Sequence, residues 1–376
     1  MTRDAVITGC GVVAANGIGR AAFADALRAG RSGIGDLVAF DASDTARERA
    51  AEIHSFDPAP FLRSPKNYLD RNSALAFAAA EMAVRESALP LPQLDRAFGV
   101  ACGSMAGNIE SLAAFAAKVA EKGPKLAPPF LFPHTYYNTT AGLLSIEYGL
   151  NGPHGQFCSG GAAGLEALLF AAECVRRGRT DAMLAGGVEA FHERLFRLAV
   201  GRGWLSPIGG GEERCRPFDP ARNGAILGEG AAFFIIESAE SARSRGAQIL
   251  ARIAGTSLPG AVGVPRPDAI FAAAGGYPAF DAAEAESIRV ASGGPSVPVV
   301  AVKSLLGETL GAAGPLALAA ALVAMEGRFL PGVDGATSAF PDLDLVAKPR
   351  RTPVGSALIC AGGPEDERQC SLLVHR

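Results

Sequence analysis

The stretch GQFCSGGAAGLEALLFAAECVRRG, residues 155–178, decides how this chain folds. It opens as a short β-prone run, passes through small residues, and from residue 161 is apolar almost all the way round until Arg176 and Arg177. A helix without a polar face is buried inside a protein, not laid upon it. A strand running directly into a buried helix N-terminus is where many enzymes hold a nucleophile, because free N–H groups and the helix dipole stabilise an anion there. That place is occupied by glycine, Gly161.

Working outward, β-prone runs alternate with helical patterns along the whole chain. Strands are predicted at 5–13, 98–102, 155–158, 182–185, 232–236, 249–254, 269–273, 298–302, 356–360 and 371–374. Helices are predicted at 21–28, 72–87, 109–121, 161–177, 282–290 and 311–325. Such alternation predicts an α/β fold with helices packed on mixed or parallel sheets. A charged, helical stretch at 238–248 separates a long first half, 1–245, from a shorter second half, 246–376.

Composition narrows the function classes. Hydrophobic residues make up 49% of the 376 and charged residues 19%, so a large part of the surface is expected to face another subunit. A net charge of -3 supplies no basic field for nucleic acid. Apolar stretches are broken before roughly twenty residues, so no membrane span and a cytoplasmic location are expected. The seven cysteines have no C-x-x-C spacing, which argues against zinc and a disulfide framework and predicts mostly core thiols.

Several motifs together resemble the β-ketoacyl synthases of the thiolase fold. AVITGCGVVAANG (5–17) is similar to that family's first strand and turn, followed by AGRSGI (29–34). RPFDPARNGAILGEGAA (216–232) is similar to its RPFD…GEG signature, and KSLLGETLGAAG (303–314) to its Lys-Ser loop. The resemblance implies a five-layered αβαβα architecture made of two related halves. It also implies a nucleophilic cysteine and two histidines, and all three positions have changed. The cysteine position, eight residues after Pro153 and seventeen before Gly178, falls on Gly161. The histidine positions fall on Ala274 and Glu308. Condensation needs a thiolate to carry the acyl chain and donors to stabilise an enolate, and glycine, alanine and glutamate supply neither. Lys303 survives, but the glutamate that partners it in the family falls on Ala317, so Lys303 is expected to pair with Glu308. The segment 255–268 is shorter than its counterpart, and Ala361 stands where the family has a gating phenylalanine. A cavity without chemistry is the expectation.

Within the family the pattern is most similar to the chain length factors, the β subunits that pair with an active ketosynthase in type II polyketide systems. The resemblance implies a catalytic ketosynthase partner, an acyl carrier protein, and neither a metal nor an organic cofactor. It places the pairing strand at 155–159 and a second contact at 129–142. Phe132, His134, Thr135, Tyr136 and Tyr137 are then candidates for shaping a shared acyl tunnel. Met105, and Ile109, Leu112 and Phe115 on the helix predicted at 109–121, are candidates for ending it. Each has an ordinary alternative as core packing, or as interface anchoring for the tyrosines. Arg176, Arg177 and Arg202 are candidate contacts for an acidic carrier protein, with a solvated helix end as the alternative.

Two enzyme readings compete. One keeps acyltransferase chemistry with a displaced nucleophile, Cys158, although that thiol is expected within its strand and turned into the core. The other is an NAD(P)-binding oxidoreductase, because GCGVVA (9–14) fits G-x-G-x-x-A after a strand.

Overall fold

The computed structural model describes residues 3–90, 98–255, 266–292, 297–332, 337–364 and 369–376. Ten strands lie side by side in one twisted sheet: β1 Ala5–Ala14, β2 Gly99–Gly103, β3 His154–Phe157, β4 Ala182–Glu189, β5 Gly230–Ser238, β6 Ala251–Gly255, β7 Ala269–Phe271, β8 Val299–Val300, β9 Ser356–Ala361 and β10 Cys370–His375. An eleventh, Gly17–Ile18, folds back on β1. The first five run in the order β3-β2-β4-β5-β1 and the second five in the order β8-β7-β9-β10-β6. In each half the first two contacts are parallel and the last two antiparallel. The halves therefore repeat one topology, joined where β1 pairs antiparallel with β6.

The principal helices are α1 Arg20–Arg28, α2 Arg71–Ser87, α3 Ile109–Lys122, α4 Thr139–Tyr148, α5 Ala163–Arg176, α6 Glu193–Gly201, α7 Ala239–Ser244, α8 Pro278–Ser292, α9 Lys303–Leu306 and α10 Ala313–Gly327. α5 and α10 pack between the two halves of the sheet, in the largest core cluster. Both are apolar all round, as a layer with a sheet on either side requires. α2 and α4 cover the outer face of the first half and α8 that of the second, which completes five layers. Among the described residues one stretch is long and apolar enough to cross a membrane, Leu310–Gly327, and it lies in this core.

The glycines of GCGVVA serve packing. A Cβ at Gly9 would stand 2.1 Å from the Ala83 carbonyl oxygen, and one at Gly11 would stand 1.8 Å from that of Ala79. The alanine-rich α2 rests directly on β1. Both neighbours of β1 run antiparallel to it, unlike the parallel opening strand of a dinucleotide-binding unit. The oxidoreductase reading has no structural footing.

A second close approach joins the halves. A Cβ at Gly164 would stand 2.2 Å from the Gly311 carbonyl oxygen, and one at Gly187 would stand 2.3 Å from the same atom. Small residues at the start of α5 thus let the turn before α10 press against it.

Candidate active site

The positions of interest lie where α5 and α10 begin. Gly160–Ala162 forms a single 3-10 turn ahead of α5, and Leu310–Ala312 forms the same turn ahead of α10; the two turns touch. Gly161 is buried in the first. Ala274, in the loop after β7, is fully buried. A Cβ on the next residue, Gly275, would stand 3.2 Å from Glu308 Oε2 and 3.4 Å from Lys303 Cδ. The fold thus brings the separated sequence positions into one neighbourhood.

Its centre is an ion pair. Lys303 Nζ lies 2.6 Å from Glu308 Oε2 and donates to the Gly362 carbonyl oxygen at 3.0 Å, while Glu308 Oε1 accepts from the Leu310 N–H. Both side chains are almost wholly buried. The expected pairing of Lys303 with Glu308 is present. A cavity lined in part by Cys215, Val302, Ser304 and Leu305 adjoins this neighbourhood, and Cys215 Sγ donates to the Gly275 and Lys303 carbonyl oxygens, each at 3.3 Å.

Three more buried carboxyls hold the surrounding loops. Glu189, at the end of β4, accepts from the backbone N–H groups of Met105, Ala106 and Gly311 and from the Ser104 hydroxyl. Burial pushes it up to about 7 against these bonds. Asp281 accepts from the N–H groups of Phe218, Gly275 and Gly276, and burial raises it to about 6. Glu284 accepts from the Ala273 N–H through one oxygen, the other has no hydrogen-bond partner, and burial pushes it up to about 7. Sequence reasoning missed Glu189; the signal was a carboxylate closing the apolar run AMLAGGV, where only a dedicated set of donors makes burial tolerable.

Cys158 requires a correction. β3 ends at Phe157, and Cys158 is exposed one residue beyond it instead of buried in the core. β3 is the outermost strand of its half among the described residues, and Cys158 stands just past its end, before the chain turns inward at Gly161. Partial burial still raises the thiol above its ordinary value, partly offset by the Gln156 amide, which donates to Sγ at 3.9 Å. The cysteines are otherwise core or half-buried, as expected.

Most of the candidate tunnel residues lie on α3 and in the segment before α4, a helix that packs against β2 and β3. Leu112, Phe132, Tyr136 and Tyr137 are exposed, in company with Phe130 and Ile146. Phe132 packs tilted at 48° against Phe115 and edge-on against Tyr136, with ring centroids 5.5 and 5.2 Å apart. His134 packs on Tyr68, while Thr135 turns its hydroxyl back to the Phe132 carbonyl oxygen. Met105 stands apart from this patch, half-buried against a core cluster with Phe191 and Phe196, and Ile109 is half-buried at the start of α3. Of the candidate docking arginines, Arg176 bonds the Ile253 carbonyl oxygen at 2.6 Å and Arg177 pairs with Glu173. Among the described residues no group of three or more His, Cys, Asp and Glu is placed to hold a metal ion.

A repeated five-strand unit, two buried helices meeting head to head and the Lys303 loop between them define a condensing-enzyme scaffold. The chain belongs to the β-ketoacyl synthase family: residues 2–242 match its N-terminal domain and 261–335 its C-terminal domain. It is 32% identical to the tetracenomycin polyketide synthase ketoacyl synthase beta subunit of Streptomyces glaucescens, over 95% of each chain. It is also 32% identical to 3-oxoacyl-[acyl-carrier-protein] synthase 2 of Coxiella burnetii, over 88% of this chain and 87% of that one. Among solved structures, the ishigamide ketosynthase/chain length factor matches with a TM-score of 0.87 at 27% identity, covering 100% of this chain and 99% of that one. A type II polyketide ketosynthase in complex with its acyl-carrier protein matches equally well, with a TM-score of 0.87 at 25% identity over 100% of both chains.

Proposed function

We propose that this chain is a non-catalytic subunit of the chain length factor type, which pairs with an active ketosynthase and acyl carrier protein in type II polyketide or polyene biosynthesis. One observation carries the reading. Where the family's resemblance places a cysteine and two histidines stand Gly161, Ala274 and Glu308, and Glu308 is spent in a buried ion pair with Lys303. A carboxylate there opposes an enolate instead of stabilising it. The relatives include both beta subunits and synthases, so overall likeness does not choose between them, and the three changed residues are what supports the beta-subunit reading.

Without chemistry, the chain acts through its surface. The outer side of β3 pairs with no strand among the described residues, and the exposed Leu112, Phe132, Tyr136 and Tyr137 supply apolar area a partner would cover. Phe132, Tyr136 and Tyr137 reach toward the partner's pocket, and Leu112 and Phe115 set where a growing chain must stop. We place the boundary between the halves at 245/246 and the protein in the cytoplasm with its carrier protein.

The alternative, an acyltransferase using Cys158, has an accessible thiol in its favour and a raised pKa against it. The deciding experiment compares condensation by the chain alone, by a cysteine-bearing ketosynthase alone and by the pair, with malonyl carrier protein as substrate. Activity from the pair and none from this chain alone is expected, and Cys158→Ala leaves the pair's turnover unchanged. Condensation by the lone chain, abolished by Cys158→Ala, would establish the alternative instead.

A further inference from the structure

The loop that follows β2, residues 104–108, is held from the core side and presents its far end to the surface. Glu189 gathers it from beneath: the Ser104 hydroxyl and the Ala106 N–H donate to Oε1 at 3.1 and 2.9 Å, and the Met105 N–H donates to Oε2 at 2.7 Å. The fourth donor is the Gly311 N–H at 3.1 Å, so the same carboxylate ties the loop to the turn before α10. Ser104 passes the constraint on, its Oγ accepting from the Gly107 N–H at 2.9 Å. A fully buried carboxylate met by four donors is a clamp, since burial without those bonds is costly.

The far end of the loop meets the exposed aromatics. Gly107 is buried with φ 57°, and a Cβ placed on it would stand 2.8 Å from Tyr137 Cδ1 and 3.4 Å from both Tyr137 Cα and Cε1. The Tyr137 ring therefore rests on a residue that is glycine for two reasons, its left-handed backbone and the space above it. One residue on, the buried Asn108 side chain accepts from the Thr140 hydroxyl at 3.1 Å and donates to the Ser73 hydroxyl at 3.0 Å. Thr140 lies in the first turn of α4, and its neighbour Thr139 donates back to the Tyr136 and Pro133 carbonyl oxygens. Segment 133–140 is thus fixed to the loop at both Gly107 and Asn108, while Tyr136 and Tyr137 remain exposed.

We propose that the 104–108 loop is the positioning element of the ketosynthase-facing surface, with Glu189 as its clamp and Gly107 as the seat of the Tyr137 ring; the inference rests on the reading above that this surface meets a ketosynthase. Both residues are buried, so they act through Tyr137. They fix its ring before the partner arrives, and association does not have to order it. Core packing asks for neither, because a carboxylate and a glycine bury no apolar side chain. A rigid loop beneath an exposed ring asks for both.

The test measures the affinity of this chain for its ketosynthase by sedimentation, as a double-mutant cycle. Gly107→Ala drives a methyl group into the ring, and Glu189→Gln turns one acceptor into a donor that faces other donors. Each is expected to weaken association about ten-fold. In the Tyr137→Ala background neither adds to the loss that Tyr137→Ala causes alone. Hydrogen exchange on the unaltered free chain gives a readout independent of how the variants fold: the Met105, Ala106 and Gly107 amides are expected to be protected before any partner is added. Full additivity of either substitution with Tyr137→Ala overturns the positioning role. So does undiminished affinity in a folded Gly107→Ala chain, and so do amides that exchange freely until the ketosynthase binds. If Tyr137→Ala alone binds as tightly as the native chain, the failure lies in the ketosynthase-facing reading of this surface, and the proposal falls with it.

Discussion

The two halves of the sheet share strand order and strand direction, yet they differ at every margin. The first half ends in β3, whose outer side pairs with no strand among the described residues. The second half ends in β8, whose outer side is closed: the Val299 N–H donates to the Asp344 carbonyl oxygen and Val299's own carbonyl accepts from Val346. The first half carries α2 between β1 and β2, seated on Gly9 and Gly11; the second half passes from β6 to β7 through the short segment 256–268. On the reading proposed above, the changed positions differ in kind as well. Gly161 then leaves only hydrogen in the cysteine's place in the first half, while Glu308 puts a charge in a histidine's place in the second, with Lys303, Asp281 and Glu284 buried nearby. The first half would have changed by subtraction and the second by the gain of a buried charge.

If the second half is sealed by its ion pair, breaking that pair should have the largest effect. Lys303→Met leaves Glu308 buried without a counter-charge and is expected to lower stability by about 3–5 kcal/mol in urea titrations. Lys303→Met combined with Glu308→Leu should recover most of the loss, because removing both charges also removes their desolvation cost. A single variant as stable as the native chain would mean that the site is wet and open. If the first half is the pairing margin, Tyr136→Ala should weaken association with the ketosynthase by about 2 kcal/mol, roughly thirty-fold, while leaving the chain's own unfolding unchanged. Equal affinity by sedimentation would move the interface elsewhere.

The smallest effect distinguishes the halves by pH. Burial raises Glu189 in the first half, and Asp281 and Glu284 in the second, above their ordinary values. A carboxyl raised by folding binds its proton more tightly in the folded chain. Its contribution is therefore complete below the unfolded pKa, near 4, and is lost as pH rises through about 6 to 7. Stability should decline across that window and level off above it. Glu284→Gln should make the decline shallower by up to about one proton in slope, and Glu189→Gln should remove the first half's share. A flat profile between pH 4 and 7 would place all three carboxyls at ordinary values.

Much of this was legible in the sequence, for identifiable reasons. All ten predicted strands and all six predicted helices exist, because their periodicity and glycine punctuation reflect burial that the sheet imposes. α4, α6 and the single turn α9 were not predicted. TTAGLLSIEY carries no clear helical stripe, while ERLFRLAVG carries one, in Leu195, Phe196 and Ala199, that went unread. The Lys303–Glu308 pair was legible because five residues across one tight turn bring the two together. The exposure of Cys158 was not, since a short apolar strand reads the same at an edge as in the interior. The glycines of GCGVVA admitted two readings, and the approach of α2 chooses between them.

The open side of β3 also bears on how the protein must be made. Unsatisfied N–H and C=O groups along a strand are indifferent to the identity of whatever completes them. Synthesis in step with the ketosynthase would give one well-matched product. Surplus chains would find one another, so the balance between the two messages becomes a determinant of yield in its own right.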